Sequence, residues 1–389
     1  MHTSPSSVLR FTRRLLGLCL ATALFAQAWA AEDGQWKTIF YKRTFVGAID
    51  VKSKEGTGTT VRMPVTIPFN AEKIRVWVRS DFDVPIELSR LTLVRASGEK
   101  GAIQGAPVPL LFDGEKPGTK LAQKESKNSV ANGAGALTPG LWYLETHYTS
   151  DKCSYSYDAD GGYSAAGDSL TDSSAKFRLS KVFMGNAYRV DVFTTDPTPV
   201  LVCYGDSITQ GSGSTPMSGK NYPHQLGVLL KRPVVNLGIN SDLVIHAGGA
   251  GDLATRMKGA TDFIFLMGIN DIAWGGQIKS AADYSARVTP ILATVKKSGM
   301  KAYLATIPPA GGMPLFDRKP SKEALRQEIN AWIRKQTRAD AVIDFDEALR
   351  DPANPVRLRA EYHCGDWIHP SDLGYEKMAE AAAAVLKSK

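Results

Sequence analysis

The sequence predicts two folded regions of different class: an antiparallel β-sandwich or jelly-roll-like region over residues 31–196, and an α/β region with a mostly parallel sheet over residues 197–389. Three observations carry this expectation. From Trp36 to about Asp196, apolar and polar residues alternate with period two in runs separated by Gly, Asn, Asp and Pro clusters, as half-buried antiparallel strands require. Beyond residue 199, short unbroken apolar runs alternate with amphipathic stretches, which implies parallel strands with helices on both faces. Between the two, Asp196-Pro197-Thr198-Pro199 sets two prolines one residue apart, where no regular element continues.

Taken in order, the chain begins with Arg10, Arg13 and Arg14, an apolar stretch from Leu15 to Phe25, and small residues at Ala28 and Ala30. The apolar stretch is too short to span a bilayer, and Ala28-Trp29-Ala30 fits a cleavage site, so residues 1–30 read as a secretory signal peptide. Sec export is the default, although Thr12-Arg13-Arg14-Leu15-Leu16 faintly resembles a twin-arginine signal. The expected location is secreted or periplasmic, without stable membrane insertion once the leader is cleaved.

The chain has 389 residues, 43% hydrophobic and 22% charged, which is ordinary for a globular protein with room for two cores. Its net charge is +8, of which the three leader arginines supply a share with no acid to offset them. That mild excess has no Lys/Arg cluster behind it and argues against nucleic acid as a partner. Beyond Cys19 of the leader, the cysteines are Cys153, Cys203 and Cys364. Cys203 falls in a buried apolar run, so a disulfide, if one forms, pairs Cys153 with Cys364; two free thiols are the alternative.

Strands are expected around residues 38–41, 61–67, 73–78, 91–94 and 188–193. The Ser-, Asp-, Gly- and Tyr-rich interval from Ser150 to Ser174 reads as a long loop, either plain solvated chain or a rim over the second region's site. In the second region, helices are expected over 222–231, 280–298, 321–337 and 371–386, and strands over 200–204, 234–236, 263–267, 302–306 and 342–345.

The apolar run Val200 to Tyr204 stops at Gly205-Asp206-Ser207, which leaves a serine at a strand's carboxyl end, where open α/β sheets bind ligands. By itself this is an ordinary turn. Three later patches change its weight: Asn236-Leu237-Gly238 and Gly268-Ile269-Asn270-Asp271, each ending an apolar run, and Asp366-Trp367-Ile368-His369 before the last amphipathic stretch. The ordered set resembles the SGNH (GDSL) hydrolase superfamily over roughly residues 199–388, and in particular its secreted bacterial members.

The resemblance implies a flavodoxin-like three-layer domain and ester hydrolysis by a Ser-His-Asp mechanism. Ser207 would be the nucleophile, His369 the base and Asp366 the group that orients the imidazole. The oxyanion would be met by the Ser207 N–H, the Asn270 side-chain amide and a backbone N–H of the second patch. Relatives carry a glycine at that last position; aligned on Asn236 and Asp242, Ser241 stands there, and Gly238 is the alternative. Trp274 and Trp367 lie in the same segments and read either as packing residues or as an aromatic wall for substrate. His363, six residues before His369, lacks an acid at the family's spacing, while His147 and His224 read as packing. No phosphate loop or metal-ligand spacing is present, so no cofactor or metal is expected.

Two substrate classes follow. Secretion, the β region and the aromatic loop residues suggest an esterase that removes acetyl groups from a carbohydrate polymer. A lipase, arylesterase or lysophospholipase acting on hydrophobic acyl esters is the alternative. From another class, the chain could be a glycan-binding protein with a silent hydrolase domain, although a silent site has no need of Ser207, Asn270, Asp366 and His369 together.

Overall fold

The structure is a computed structural model that describes residues 33–51, 58–82, 85–98, 101–113, 115–156, 161–170, 172, 177–180 and 183–388. The expected leader, residues 1–30, lies outside them. Residues Trp36–Lys389 form one compact unit, in which a β-rich region precedes an α/β region.

The principal strands of the β-rich region are β1 (Gln35–Tyr41), β2 (Thr59–Ile67), β3 (Ala71–Arg79), β4 (Ile86–Ala96), β5 (Gly140–Tyr148), β6 (Lys152–Ser156), β7 (Gly162–Ala166) and β8 (Ala187–Thr194). One sheet runs through β1, β8 and β3, and another through β7, β2, β5 and β4. The pairings of β2 with β5, β4 with β5 and β3 with β8 are antiparallel. Alternate residues point inward: Ile74, Val76 and Val78 of β3 and Val190 and Val192 of β8 share one buried core with Met63, Val65 and Ile67 of β2 and Leu91 and Leu93 of β4. Period-two alternation therefore located these strands correctly.

It did not locate β5. From Trp142 to Tyr148 that strand is buried without a break, Glu145 and His147 included, so no alternation marks it. Glu145 is tolerated because Arg62 of β2 donates to it at 2.6 Å; an unpaired carboxylate there would be costly. Ser150–Ser174 is corrected as well. It holds β6, which pairs with the strand Gly47–Asp50, and β7, which pairs with β2. Polar, small residues that resemble loop in composition are held there by ladder hydrogen bonds.

The α/β region carries β9 (Val200–Gly205), β10 (Val234–Gly238), β11 (Ala260–Leu266), β12 (Lys301–Ala305) and β13 (Ala341–Ile343) in the spatial order β10-β9-β11-β12-β13. All four pairings are parallel. Numbered from the first strand, the order is 2-1-3-4-5, the flavodoxin-like arrangement, with its switch point at β9. Its helices include α1 (Ser207–Gln210), α2 (Tyr222–Leu230), α3 (Ala250–Thr255), α4 (Ala281–Lys297), α5 (Pro320–Lys335) and α6 (Asp372–Lys387). Three of the four longest begin where their sequences ask them to: Asn221 caps α2, Ser280 caps α4 and Ser371 caps α6 through a side-chain oxygen. No helix among the described residues is long and apolar enough to cross a membrane.

Candidate active site

Register brings the site together. Gly205 of β9 lies opposite Gly238 of β10 and opposite Leu266 of β11, so three strands end level with one another. The chain beyond each end carries Ser207, the 239–242 loop and Asn270.

Both glycines are required by close approach. A Cβ on Gly205 would lie 2.0 Å from Thr209 Oγ1 and 2.5 Å from the Leu266 carbonyl, and one on Gly238 would lie 2.2 Å from the Gln210 nitrogen. The first turn of α1 thus rests directly on the ends of β9 and β10. Asn236 fastens it there, donating through Nδ2 to the Thr209 carbonyl at 2.8 Å and accepting the Gly238 N–H at 2.9 Å. Asp206 caps α1 by accepting the Ile208 N–H at 3.0 Å. It is fully buried, and burial pushes its carboxyl up to about 7 against the opposing pull of that N–H.

Ser207 sits on the first turn of α1 with its Oγ 2.8 Å from His369 Nε2. His369 Nδ1 lies 2.6 Å from Asp366 Oδ2, while Asp366 Oδ1 accepts the N–H of His369 at 2.8 Å and of Ile368 at 3.0 Å. Partial burial raises the Asp366 carboxyl, but these bonds outweigh it and hold the group well below the usual carboxylate range. The acid therefore stays ionised and fixes the tautomer in which Nε2 can accept a proton from Ser207. The loop itself is closed by the Cys364 N–H, which donates to the His369 carbonyl at 3.0 Å. Asp372 at the start of α6 then accepts from the Thr215 N–H and hydroxyl, both at 2.7 Å, and Tyr375 donates to the Ser212 carbonyl at 2.7 Å. These contacts join the histidine's helix to the chain leaving Ser207.

The second patch now reads more clearly. The Gly238 N–H is taken by Asn236, whereas the Ser241 N–H donates to no group among the described residues. Ser241 also has φ +60°, the left-handed conformation that glycine adopts without strain. Asn270 is buried and donates through Nδ2 to the Asp242 carbonyl at 3.0 Å, leaving its second amide hydrogen for another acceptor. Trp274, four residues on, is 66% exposed.

One expectation, the disulfide, is corrected. Cys153 and Cys364 are not bonded: Cys153 is a free thiol buried in the β-rich core, and Cys364 is a free, exposed thiol whose Sγ packs by Gly213. Cys153 is buried because β6 turns that side chain into the core, a placement that composition does not reveal. The Trp367 ring stacks on His363 with centroids 3.9 Å apart, with Arg357 nearby and Gly312 against it. His363 is occupied in the same stack and accepts the Gly365 N–H at 3.0 Å. Gly238, as above, has its N–H already engaged. Sequence reasoning missed Arg43, whose guanidinium pairs with Asp242 at 2.8 Å from the β-rich region; nothing in its local sequence marks it.

A cleft of about 390 Å³ lined by Tyr41, Val65, Leu141, Gln210, Val228 and Gly238 includes none of Ser207, Asn270 or His369. Those three residues lie instead at the carboxyl edge of the parallel sheet. Among the described residues, no group of three or more His, Cys, Asp or Glu side chains could hold a metal ion.

The GDSL-like Lipase/Acylhydrolase family model matches residues 203–377, the span that runs from β9 through the His369 loop. This part of the chain belongs to that family. The protein is accordingly an SGNH-type serine hydrolase acting on esters. Solved structures similar to it include a protein named as a lipolytic member of the G-D-S-L family from Desulfitobacterium hafniense, at 21% identity and a TM-score of 0.39, covering 48% of this chain and 99% of that one. The aryl esterase of M. smegmatis is similar at 14% identity and a TM-score of 0.39, covering 49% and 99%. A protein named as a GDSL-like lipase from Bacteroides ovatus is similar at 15% identity and a TM-score of 0.37, covering 85% of this chain and 83% of that one. No curated protein matches the chain.

Proposed function

We propose that this GDSL-type hydrolase is an exported carbohydrate esterase that releases acetyl groups from a polymer, with Ser207 as nucleophile. The observation that carries the catalytic assignment is the unbroken series Asp366, His369, Ser207 at 2.6 and 2.8 Å. His369 takes the Ser207 proton as Oγ attacks the acyl carbon, and Asp366 stabilises the imidazolium that results. The negative charge on the carbonyl oxygen is met by the N–H groups of Ser207 and Ser241 and by the Asn270 amide. The imidazolium then protonates the departing alcohol, and water repeats the sequence to free the acid.

The carbohydrate reading is supported by Trp274, an exposed indole four residues after Asn270 that offers a flat face to a sugar ring. It is also supported by the leader-like composition of residues 1–30, and by the β-rich region preceding the hydrolase. The test is a release assay on purified protein with acetylated xylan, acetylated pectin and p-nitrophenyl esters of increasing chain length. Acetate release from polymer, reduced in Trp274→Ala, is the expected result. A preference for long acyl chains would replace this reading with a lipase, and no turnover of any ester would leave a glycan-binding protein. Ser207→Ala and His369→Ala should each lower turnover by more than about 10²-fold without unfolding the protein; weaker losses would assign the nucleophile or base elsewhere.

A further inference from the structure

Arg43 follows β1 and therefore belongs to the β-rich region, yet its side chain ends among the strand ends that carry the active site. One guanidinium nitrogen, Nη1, donates to the Leu237 carbonyl of β10 at 3.0 Å and lies 3.5 Å from the Gly205 carbonyl of β9. The other, Nη2, donates to Asp242 Oδ2 at 2.8 Å and to the Tyr204 hydroxyl, while the guanidinium carbon lies 3.9 Å from the centre of the Tyr204 ring. Only 10% of the Arg43 side chain and 8% of the Asp242 side chain are exposed, so the pair is largely desolvated and rigid in a way that surface ion pairs are not.

Asp242 passes this constraint on. Its Oδ1 accepts the Leu243 N–H at 3.0 Å, its own N–H donates to the Ile239 carbonyl at 3.2 Å, and its carbonyl accepts Asn270 Nδ2 at 3.0 Å. Ser241, held at positive φ, is the residue immediately before it. Arg43 is anchored in turn: Arg79 donates to the Arg43 carbonyl at 2.7 Å and to the Lys42 carbonyl at 3.2 Å, and pairs with Asp81 at 3.0 Å.

We propose that Arg43 is a positioning residue for the oxyanion donors, acting through Asp242 to fix the Ser241 N–H and the Asn270 amide, so that transition-state stabilisation in the hydrolase depends on the β-rich region. The inference rests on the oxyanion assignment above. A guanidinium is suited to the task because its planar fork reaches two backbone carbonyls, a hydroxyl and a carboxylate at once; an ammonium cannot reproduce that geometry. Donors displaced by a fraction of an ångström still permit substrate to bind but meet the developing oxyanion poorly, and the loss then falls on kcat.

The experiment compares wild type, Arg43→Met, Arg43→Lys, Asn270→Ala and Arg43→Met/Asn270→Ala, with Ser207→Ala as the reference for a dead site, using p-nitrophenyl acetate and a boronic acid that adds to Ser207. Arg43→Met should lower kcat by about 10- to 100-fold with KM within about twofold, and weaken the boronate by a similar factor. Arg43→Lys should lie between it and wild type. In the Asn270→Ala background, Arg43→Met should cost clearly less than it does alone, because both changes act on the same donors. Unchanged kcat in folded Arg43→Met, or losses that multiply in full, would overturn the inference. Should Arg43→Met fail to fold, Arg43→Lys decides on the same kcat and KM criterion. Failure of the underlying assignment looks different: Ser207→Ala would then turn over ester as wild type does, or Asn270→Ala would leave kcat unchanged.

Discussion

Replacing Asp206 by asparagine tests whether a buried charge next to Ser207 lowers the stability of this protein. Asparagine is close in size and keeps an oxygen to accept the Ile208 N–H that Asp206 accepts at 3.0 Å, so the cap survives and only the charge is removed. Burial raises the Asp206 carboxyl from 3.8 to about 7; the Ile208 N–H and the charge of His369 oppose the rise, and Asp242 and Asp271 add to it. In the unfolded chain the group ionises near its ordinary value. Between about pH 4 and pH 7 the folded state therefore holds more protons than the unfolded state, and the wild type loses stability as pH rises through that window and no further above it. A shift of about three units at roughly 1.4 kcal/mol each sets the loss at no more than about 4 kcal/mol. Asp206→Asn has no such slope at this position. Unfolding in guanidinium, followed by tryptophan fluorescence at half-unit steps from pH 4 to pH 9, should show the variant gaining on wild type up to about pH 7 and keeping a constant lead beyond it. A lead independent of pH would mean that Asp206 titrates as an ordinary carboxylate. A lead that shrinks with rising pH would mean that its ionised form is stabilised by the site, contrary to the reasoning from burial.

Asn270→Ala should lower kcat by about 10² to 10³ with little change in KM; a raised KM with unchanged kcat would remove Asn270 from the oxyanion site. Ser241→Gly removes a side chain held at φ +60°, a conformation that costs a non-glycine residue about 1 to 2 kcal/mol, against a backbone entropy penalty for glycine of about 0.5 to 1 kcal/mol. Melting should therefore be unchanged or a few degrees higher, with kcat within about twofold of wild type because a backbone N–H remains; a tenfold loss would show that the Ser241 hydroxyl itself is used.

The sequence by itself determined the parts of this protein whose causes are local. Val200 to Tyr204 is read as a buried parallel strand because nothing in it faces water, and it is β9. Asp366 and His369 are three residues apart, so a single short loop is enough to bring them together, at 2.6 Å. The four longest helices of the α/β region carry their own apolar stripes, and three of them carry side-chain caps as well. The 2.8 Å approach of Ser207 to His369 belongs to tertiary structure, since it needs α6 anchored to the chain after α1. So does the difference between the two glycine-like positions of the second patch: Gly238 is a glycine because α1 rests on it, and Asn236 has taken its N–H, whereas the Ser241 N–H donates to no group among the described residues. Strand β5 escaped notice because the burial of Glu145 depends on Arg62 from a different strand. Cys153 and Cys364 suggested a bond only while the inward turn of β6 was unknown. Arg43 shows the limit most plainly, for its partners Leu237 and Asp242 lie nearly 200 residues further along the chain, and only packing of the β-rich region against the strand ends puts a charge beside the loop that holds Ser241.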